Sequence, residues 1–387
     1  MTADTSDLLV FLAVVGARFV IPLFIPKFPL PAILACLVID AADQTIFQQY
    51  TTLEERGLLE GYQSYDKALD IFYLTIAYVA ALRNWTNGFA LEVARILWYY
   101  RLVGVVLFEL VQERWLLLVF PNTFEYFFIA YEVIRTRWDP RRMGQRQVIY
   151  LAAAIWIFIK LPQEWWIHVA QNDFTDFMKE TIFGGEVTDS WGEAMSNRLW
   201  VVALLLAAVG GLVLLWRSQR SKLPRPDWSF RLSVDRPLSE RMVATGRDEV
   251  DRAGPSLARP RLEKVVLITL VAIIFGQLLQ IGASNLQILA ATAIVVVVNA
   301  VVSPLLVRGG AVSWRTIGIE FVVLAVLNQV IITVFAAVVG DGQINRAAAW
   351  FFALLLTLIV TLYDRYRHQR FERLAEVERL AAGGTPG

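Results

Sequence analysis

Mostly apolar stretches long enough to cross a bilayer recur along the whole chain, at 8–26, 29–46, 68–83, 88–111, 115–134, 147–169, 199–216, 264–282, 286–307, 316–340 and 347–364. A hydrocarbon core about 30 Å thick takes roughly 17–25 such residues as a helix. Lipid offers no partner to an unpaired peptide group, so stretches of this kind span only as helices. The expected fold is an all-α polytopic integral membrane protein with about 11 transmembrane helices. The second and third stretches are short and polar-ended, which leaves a re-entrant or interrupted course open for either. Pro22, Pro26, Pro29 and Pro31 make the first connection stiff and bent. Composition agrees with the class: 57% of the 387 residues are hydrophobic and only 18% are charged. Cys36 is the one cysteine, which excludes an intramolecular disulfide and a cysteine metal cage.

Basic residues fix the expected direction, because they accumulate in cytoplasmic connectors. The connector 135–146 holds five arginines against Asp139, and 217–264 holds twelve basic and seven acidic residues with five prolines. Both are assigned to the cytoplasm, together with Arg308, Arg315 and the tail from Arg365. The connector 170–198 carries six acids against Lys179 and Arg198, and 47–66 carries Glu54, Glu55, Glu60 and Asp66 against Arg56. Both of these face outward. The N-terminus is therefore expected outside and the C-terminus in the cytoplasm, with Arg114 and Arg346 as mild exceptions. The acidic opening before Leu8 lacks the positive n-region of a signal peptide, so no cleaved segment is expected. Thirty arginines against six lysines point to a GC-rich bacterial genome, hence to a bacterial cytoplasmic (inner) membrane.

Four regions follow: a seven-span lobe, 1–216, with nearly all the intramembrane charge; a basic, Pro-rich cytoplasmic loop, 217–263; a four-span apolar lobe, 264–364; and a charged helical tail, 365–387. The polar residues of the apolar lobe are mainly Gln277, Gln280, Asn299, Glu320, Asn328 and Gln329. The loop can form a small hairpin or stay disordered, since its prolines and charges oppose compaction. Phe371, Leu374 and Val377 give the tail an apolar edge suited to a lipid surface or to a solvated helix.

Arg18, Asp40, Arg101, Glu125 and Lys160 fall near the middle of their spans. A lone charge there costs about 2.5–3.5 kcal/mol on insertion scales, so such residues are usually paired or functional. From the rise per residue, Arg18 lies roughly 15 Å from the outer end of its span and Asp40 about 16 Å from the inner end of the next, close enough in depth to meet. The five together form a candidate substrate-binding set with a formal charge of +1, which favours an anion. Structural ion pairs that fix helix register are the plainer alternative.

Asp40, Asp43 and Gln44 share one helix face, with Gln48 a turn further on, and Asp66 and Asp70 open the next span with the same spacing. Asp40, Asp43, Asp66 and Asp70 form a candidate metal site, since carboxylate oxygens suit magnesium, calcium or manganese; exposed acids on an outer rim are the alternative. Asp40-x2-Asp43, Gly61 and Asp66-x3-Asp70 resemble in part the signature of CDP-alcohol phosphotransferases, D-x2-D-G-x2-A-R…G-x3-D-x3-D. Gln44 stands where that signature has glycine, Phe47-Gln48 where it has Ala-Arg, and one extra residue separates Gly61 from Asp66. The resemblance covers about a tenth of the chain and implies metal-dependent transfer at the cytoplasmic face, whereas the charge distribution puts these acids outside.

Lys160, Glu164 and His168 lie a turn apart on one face and form a candidate proton relay, because histidine titrates near neutrality and a desolvated lysine gives up its charge readily. Lys160 paired to Glu125, with Trp165 and Trp166 as an interfacial belt, is the structural alternative. Glu92 and Arg95 are spaced to pair, and Tyr99, Tyr100 and Arg101 add hydrogen bonds and a fixed cation. Pro121, in Phe120-Pro-Asn-Thr-Phe-Glu125, frees backbone acceptors at depth, as interrupted helices do beside transporter sites. The chain has no Walker A, Gly-rich nucleotide loop, H-E-x-x-H or G-x-S-x-G motif, so ATP-driven pumping by it alone is not expected.

Three functional classes remain. The first is secondary transport, with or without proton coupling, of a polar or anionic solute through a charged mid-membrane cavity. The second is a membrane-embedded, metal-dependent enzyme acting on a lipid or isoprenoid phosphate. The third is a structural, assembly or sensory subunit, with a protein partner docking through the helices or the 217–263 loop. No cofactor is predicted beyond a divalent cation as an option. The expected surroundings are the lipid bilayer and a small anionic solute or lipid, with no nucleic acid.

Overall fold

The computed structural model describes residues 3–52, 59–172, 174–219, 224–234, 258–279, 282, 284–307, 314–339 and 345–381. Glu54, Glu55, Arg56, Gln280, Arg308 and residues 235–257 of the long connector lie outside them, as do the side chains of Gln44, Gln48, Glu60, Arg315, Phe371, Leu374 and Val377. The described residues are helical with short connections and contain no strand. Among them, Ser6–Phe24, Trp115–Arg135, Gln145–Val169, Leu199–Gln219, Gly318–Phe335 and Arg346–Tyr366 are long and apolar enough to cross a bilayer. That set of six fits a membrane protein.

Helix α1 (Ala3–Val20) passes through a 3₁₀ turn, Ile21–Phe24, into α2 (Pro29–Tyr50). Pro29 and Pro31 fall in the first turn of α2, where no intrahelical N–H is lost. Both ends of this hairpin are fastened. The Asp7 carboxylate accepts from the Thr52 amide (3.2 Å) and hydroxyl (2.6 Å), and the Pro26 carbonyl accepts from Arg83 (2.6 Å) and Asn84 (3.0 Å).

Helix α3 (Leu59–Asn84) is the hub. Every residue from Ile71 to Leu82 is buried. The helix packs against α2 and against helices introduced below from both halves of the chain. A helix covered on all sides needs apolar or small residues all round, and Ala77, Ala80 and Ala81 allow close approach. Its polar groups find partners within the bundle: Thr75 donates to the Ile71 carbonyl (2.6 Å), and Tyr78 donates to Glu263. The short, interrupted course left open for this stretch is not observed. Past Gly61 the helix contains neither glycine nor proline, and its polar opening turns carry Asp66 and Asp70.

Next come α4 (Gly88–Val111), capped by Asn87, and a helix broken into α5 (Trp115–Val119) and α6 (Thr123–Arg135). Helix α7 (Gln145–Val169) follows, with π-helical turns at Ile155–Lys160 and Trp165–Val169. After a short helix, Trp191–Asn197, α8 (Leu199–Gln219) shows apolar side chains such as Leu206, Val209 and Leu212 on its outside, the kind of surface a bilayer covers.

The remaining helices are α9 (Ala258–Leu278), α10 (Asn285–Val307), α11 (Trp314–Val339) and α12 (Arg346–Ala381). Helix α12 carries the tail as one unbroken rod. Polar cross-links tie it in: Asn328 to Thr357 (2.8 Å), Glu320 to Arg365 (2.6 Å) and Lys264 to Asp364 (2.6 Å). Helices α9 and α12 also pack on α3, and one hydrophobic core runs from Ile25 to Tyr366. At one end of α4, Arg95 pairs with Glu92 and with Glu263 (3.0 Å).

Candidate functional site

Two polar clusters meet along α3. In the first, the Arg18 guanidinium from α1 faces four carboxylates. It donates from Nη2 to Asp40 and Asp70, 2.6 Å each, and from Nη1 to Asp43 and Asp66. Spacings of three on α2 and four on α3 turn both acids of each helix toward α1. Arg18 and Asp43 side chains are 3% and 5% exposed, whereas Asp40, Asp66 and Asp70 keep 31%, 33% and 35%. The cage is therefore closed behind the arginine and open on one side. Fully ionised, it carries one positive and four negative charges.

One oxygen each from Asp40, Asp43 and Asp66 falls within 4.8 Å of the others, a donor set for a hard cation. Arg18 already bonds all three of these acids. A metal ion fits only if the guanidinium withdraws, so the residues as they stand do not fit a resident metal.

The second cluster is built on the break between α5 and α6. Pro121 cannot donate to the preceding turn, and the freed carbonyls are capped from α4: Tyr100 Oη donates to Val119 O (2.9 Å) and Arg101 Nη1 to Phe120 O (3.0 Å). Gly104 permits this geometry, since a Cβ there would stand 2.1 Å from the Phe120 Cβ. On the far side of the break, the Asn122 amide donates to Glu164 (3.2 Å) and the Asn122 side-chain amide to Glu125 (2.9 Å). A carboxylate thus faces the start of a helix and a cation faces the end of one, matching the helix dipole. Glu164 is further held by Lys160 Nζ (3.3 Å) and His168 Nε2 (3.0 Å). Lys160 also donates to Gln163 (2.9 Å) and sits 4.8 Å from the centre of the Tyr126 ring. The π-helical turns on either side of Glu164 are a feature frequent at functional sites.

The five expected substrate-binding residues separate into these two groups. Arg18 and Asp40 are in direct contact, while Glu125, Arg101 and Lys160 gather around Asn122 and Glu164. The Lys160–Glu164–His168 spacing does bring the three side chains together, with Glu164 rather than Glu125 as the partner of Lys160. All four expected metal-site acids converge, but on Arg18. Tyr73 joins the groups. It lies seven residues after Asp66 on the same face of α3, and its hydroxyl donates to Glu125. Tyr73, Gly104 and Asn122 were not among the expected site residues, while Tyr100 was expected to offer hydrogen bonds beside Arg101. The run Asp66-x3-Asp70-x2-Tyr73, polar on one face of an otherwise apolar helix, is a signal that could have found the first of them.

No protein family, curated protein or solved structure matches this chain.

Proposed function

We propose that the protein is a bacterial inner-membrane secondary transporter that couples the movement of a small polar or anionic solute to protons. The observation that carries this reading is the charge at Arg18: one guanidinium against four carboxylates in a largely apolar bundle. The oxygens of Asp40, Asp43 and Asp66 lie within 4.8 Å of one another, where like charges repel by about 3 kcal/mol or more at an effective dielectric constant of about 20. Even with Asp43 set aside, Asp40, Asp66 and Asp70 share one guanidinium, so these carboxylates take up cations, and protons are the smallest available. Their partial exposure supports exchange with an aqueous side.

In this reading the cage is the coupling centre, and Glu164 with Lys160 and His168 relays protons toward Glu125 and Tyr73. The solute falls to Arg101 and Lys160, since the donors of Arg18 are engaged by acids. Eleven spans, with the N-terminus outside and the C-terminus inside, are part of the same proposal. Its support is that each apolar stretch falls on a helix, the 115–134 stretch on the α5–α6 pair, and that basic connectors alternate with acidic ones. One other reading, a metal-dependent enzyme acting on a lipid or isoprenoid phosphate, would use the oxygen triad of Asp40, Asp43 and Asp66, but only in a state from which the Arg18 guanidinium has withdrawn.

The test is a current measurement on proteoliposomes adsorbed to a solid-supported membrane, under a proton gradient. Carboxylates, amino acids, sugars and phosphate esters are the solute panel. At least one class gives a proton-dependent current that Asp43→Asn abolishes. Silence across the panel, or a current indifferent to Asp43→Asn, counts against coupling at the cage. Divalent-dependent turnover of a lipid phosphate, stopped by chelation, transfers the site to the enzyme reading.

A further inference from the structure

Two candidate spans, Trp115–Arg135 and Gln145–Val169, meet at one small surface, and a third, Leu199–Gln219, ends five residues before the segment 224–234. The turn between the first two is only nine residues long, 136–144, and the segment 224–234 lies along it. The Asp227 amide donates to Arg137 O (3.0 Å), the Arg231 amide to Thr136 O (3.2 Å) and the Val234 amide to Lys27 O (3.1 Å). Two indoles lock the pair together, Trp228 Nε1 on Arg135 O (3.1 Å) and Trp138 Nε1 on Pro224 O (3.0 Å). Asp227 accepts from the Asp139 amide (2.9 Å) and pairs with Arg142 (2.6 Å). A turn this short between two spans cannot leave the membrane boundary, and neither can a segment bonded along it.

Among the described residues, the charges of this surface do not cancel. Glu132, Asp139 and Asp227 pair with Arg135, Arg141 and Arg142. The Arg137 guanidinium lies over the ring of Phe230 (5.7 Å) without an acidic partner among the described residues, and Arg225 and Arg231 have none there either. Phe230 and Leu232, 55% and 40% exposed, flank Arg231 in the chain, and the Phe230 ring faces Arg137. Fixed guanidinium groups next to exposed apolar side chains, held at the depth of the headgroups, complement an anionic lipid surface.

We propose that the 136–144 turn and the 224–234 segment form a docking pad for anionic phospholipid headgroups. Arg137, Arg225 and Arg231 bind phosphate, and Phe230 and Leu232 enter the acyl boundary. A positive connector would orient the chain without any fixed structure; here the backbone bonds and indoles hold the arginines in one place, as a specific lipid contact requires. This inference is independent of the transport proposal.

The test uses the full chain released from bilayers of phosphatidylglycerol and phosphatidylcholine with matched acyl chains, and native mass spectrometry to count retained lipids. The wild type retains phosphatidylglycerol preferentially, and the preference falls as salt is raised. Each of Arg137→Gln, Arg225→Gln and Arg231→Gln lowers the ratio about fivefold, and Phe230→Ser weakens retention of the same lipid. Arg114→Gln with Arg346→Gln, exposed arginines elsewhere, leaves the ratio unchanged. Equal retention of the two lipids by the wild type, or a preference that survives the triple substitution, overturns the pad. Because the salt series is run on the unaltered protein, poor folding of a variant leaves the proposal open to refutation. A soluble acidic protein captured through these arginines with no lipid preference assigns the surface to a protein partner and also overturns it.

Discussion

The Arg18 cage and the Pro121 break lie side by side, and they hold buried charge in opposite ways. At the break each charge has an answer: Arg101 and Lys160 balance Glu125 and Glu164, and the open backbone groups of α5 and α6 are capped by these residues and by Tyr100. At the cage, among the described residues, Asp40, Asp66 and Asp70 share the Arg18 guanidinium, which Asp43 also bonds. A balanced cluster needs no resident ion: it fixes where a broken helix resumes and, on the proposed reading, holds the solute and passes protons. An unbalanced one, on the proposed reading, is completed by cations. The same residue types therefore carry different meanings, and charge balance separates them better than depth in the membrane does.

The contrast can be broken by substitution. Arg18→Gln has the largest expected effect, because it leaves four acids facing one another. Removing one partner of a buried ion pair costs about 3–5 kcal/mol, and thermal unfolding in lipid should show at least that loss. Adding Asp43→Asn and Asp70→Asn to Arg18→Gln should restore much of it. Failure of that rescue would mean that Arg18 acts through packing rather than charge. Glu164→Gln is next, with a loss of about 2 kcal/mol from its charge-assisted hydrogen bonds to Lys160 and His168.

Gly104→Ala pushes a methyl group into Phe120 and should cost about 1–3 kcal/mol by overpacking. A faster hydrogen exchange at Asn122 and Thr123, with the cage unaffected, would locate the damage at the break. Asp70→Asn is expected to be neutral or slightly stabilising, opposite in sign to Glu164→Gln although the chemical change is the same. A clear destabilisation by Asp70→Asn would erase the distinction between the two regions.

The smallest effect is at the membrane edge, where Asp139 meets Arg141 (2.6 Å) as an ordinary one-to-one pair. Burial pushes the Asp139 carboxyl up, but hydrogen bonds from the Arg141 side chain and backbone outweigh it and hold the group below the usual carboxylate range. Its folded form binds fewer protons than its unfolded form. The stability it contributes is complete above the unfolded value, about 3.9, and disappears as pH falls through the lower folded value. Asp139→Asn should flatten that part of an acid unfolding curve and leave the neutral range alone.

Much of this architecture is legible in the amino-acid sequence because local spacing determines it. Apolar length marks the positions of helices, Pro121 marks the break, and intervals of three or four residues bring Glu92 to Arg95 and Glu164 to Lys160 and His168. What local spacing does not specify is which helices become neighbours. Asp40 and Asp70 belong to different helices, and only the packing of α1 and α2 on α3 turns both toward Arg18. The central place of α3 was likewise hidden, since its polar opening made it resemble a weak span while its burial comes from partners in both halves of the chain. Gly104 gives no sign of its role until Phe120 is placed against it.

The most direct test of the central claim is an infrared titration of the carboxyl groups in lipid, comparing the wild type with Asp43→Asn and Asp70→Asn. Proton occupancy of the cage predicts a protonated carboxyl band near neutral pH that weakens in both variants. No protonated carboxyl band near neutral pH in any of the three proteins, with no bound cation, would contradict it.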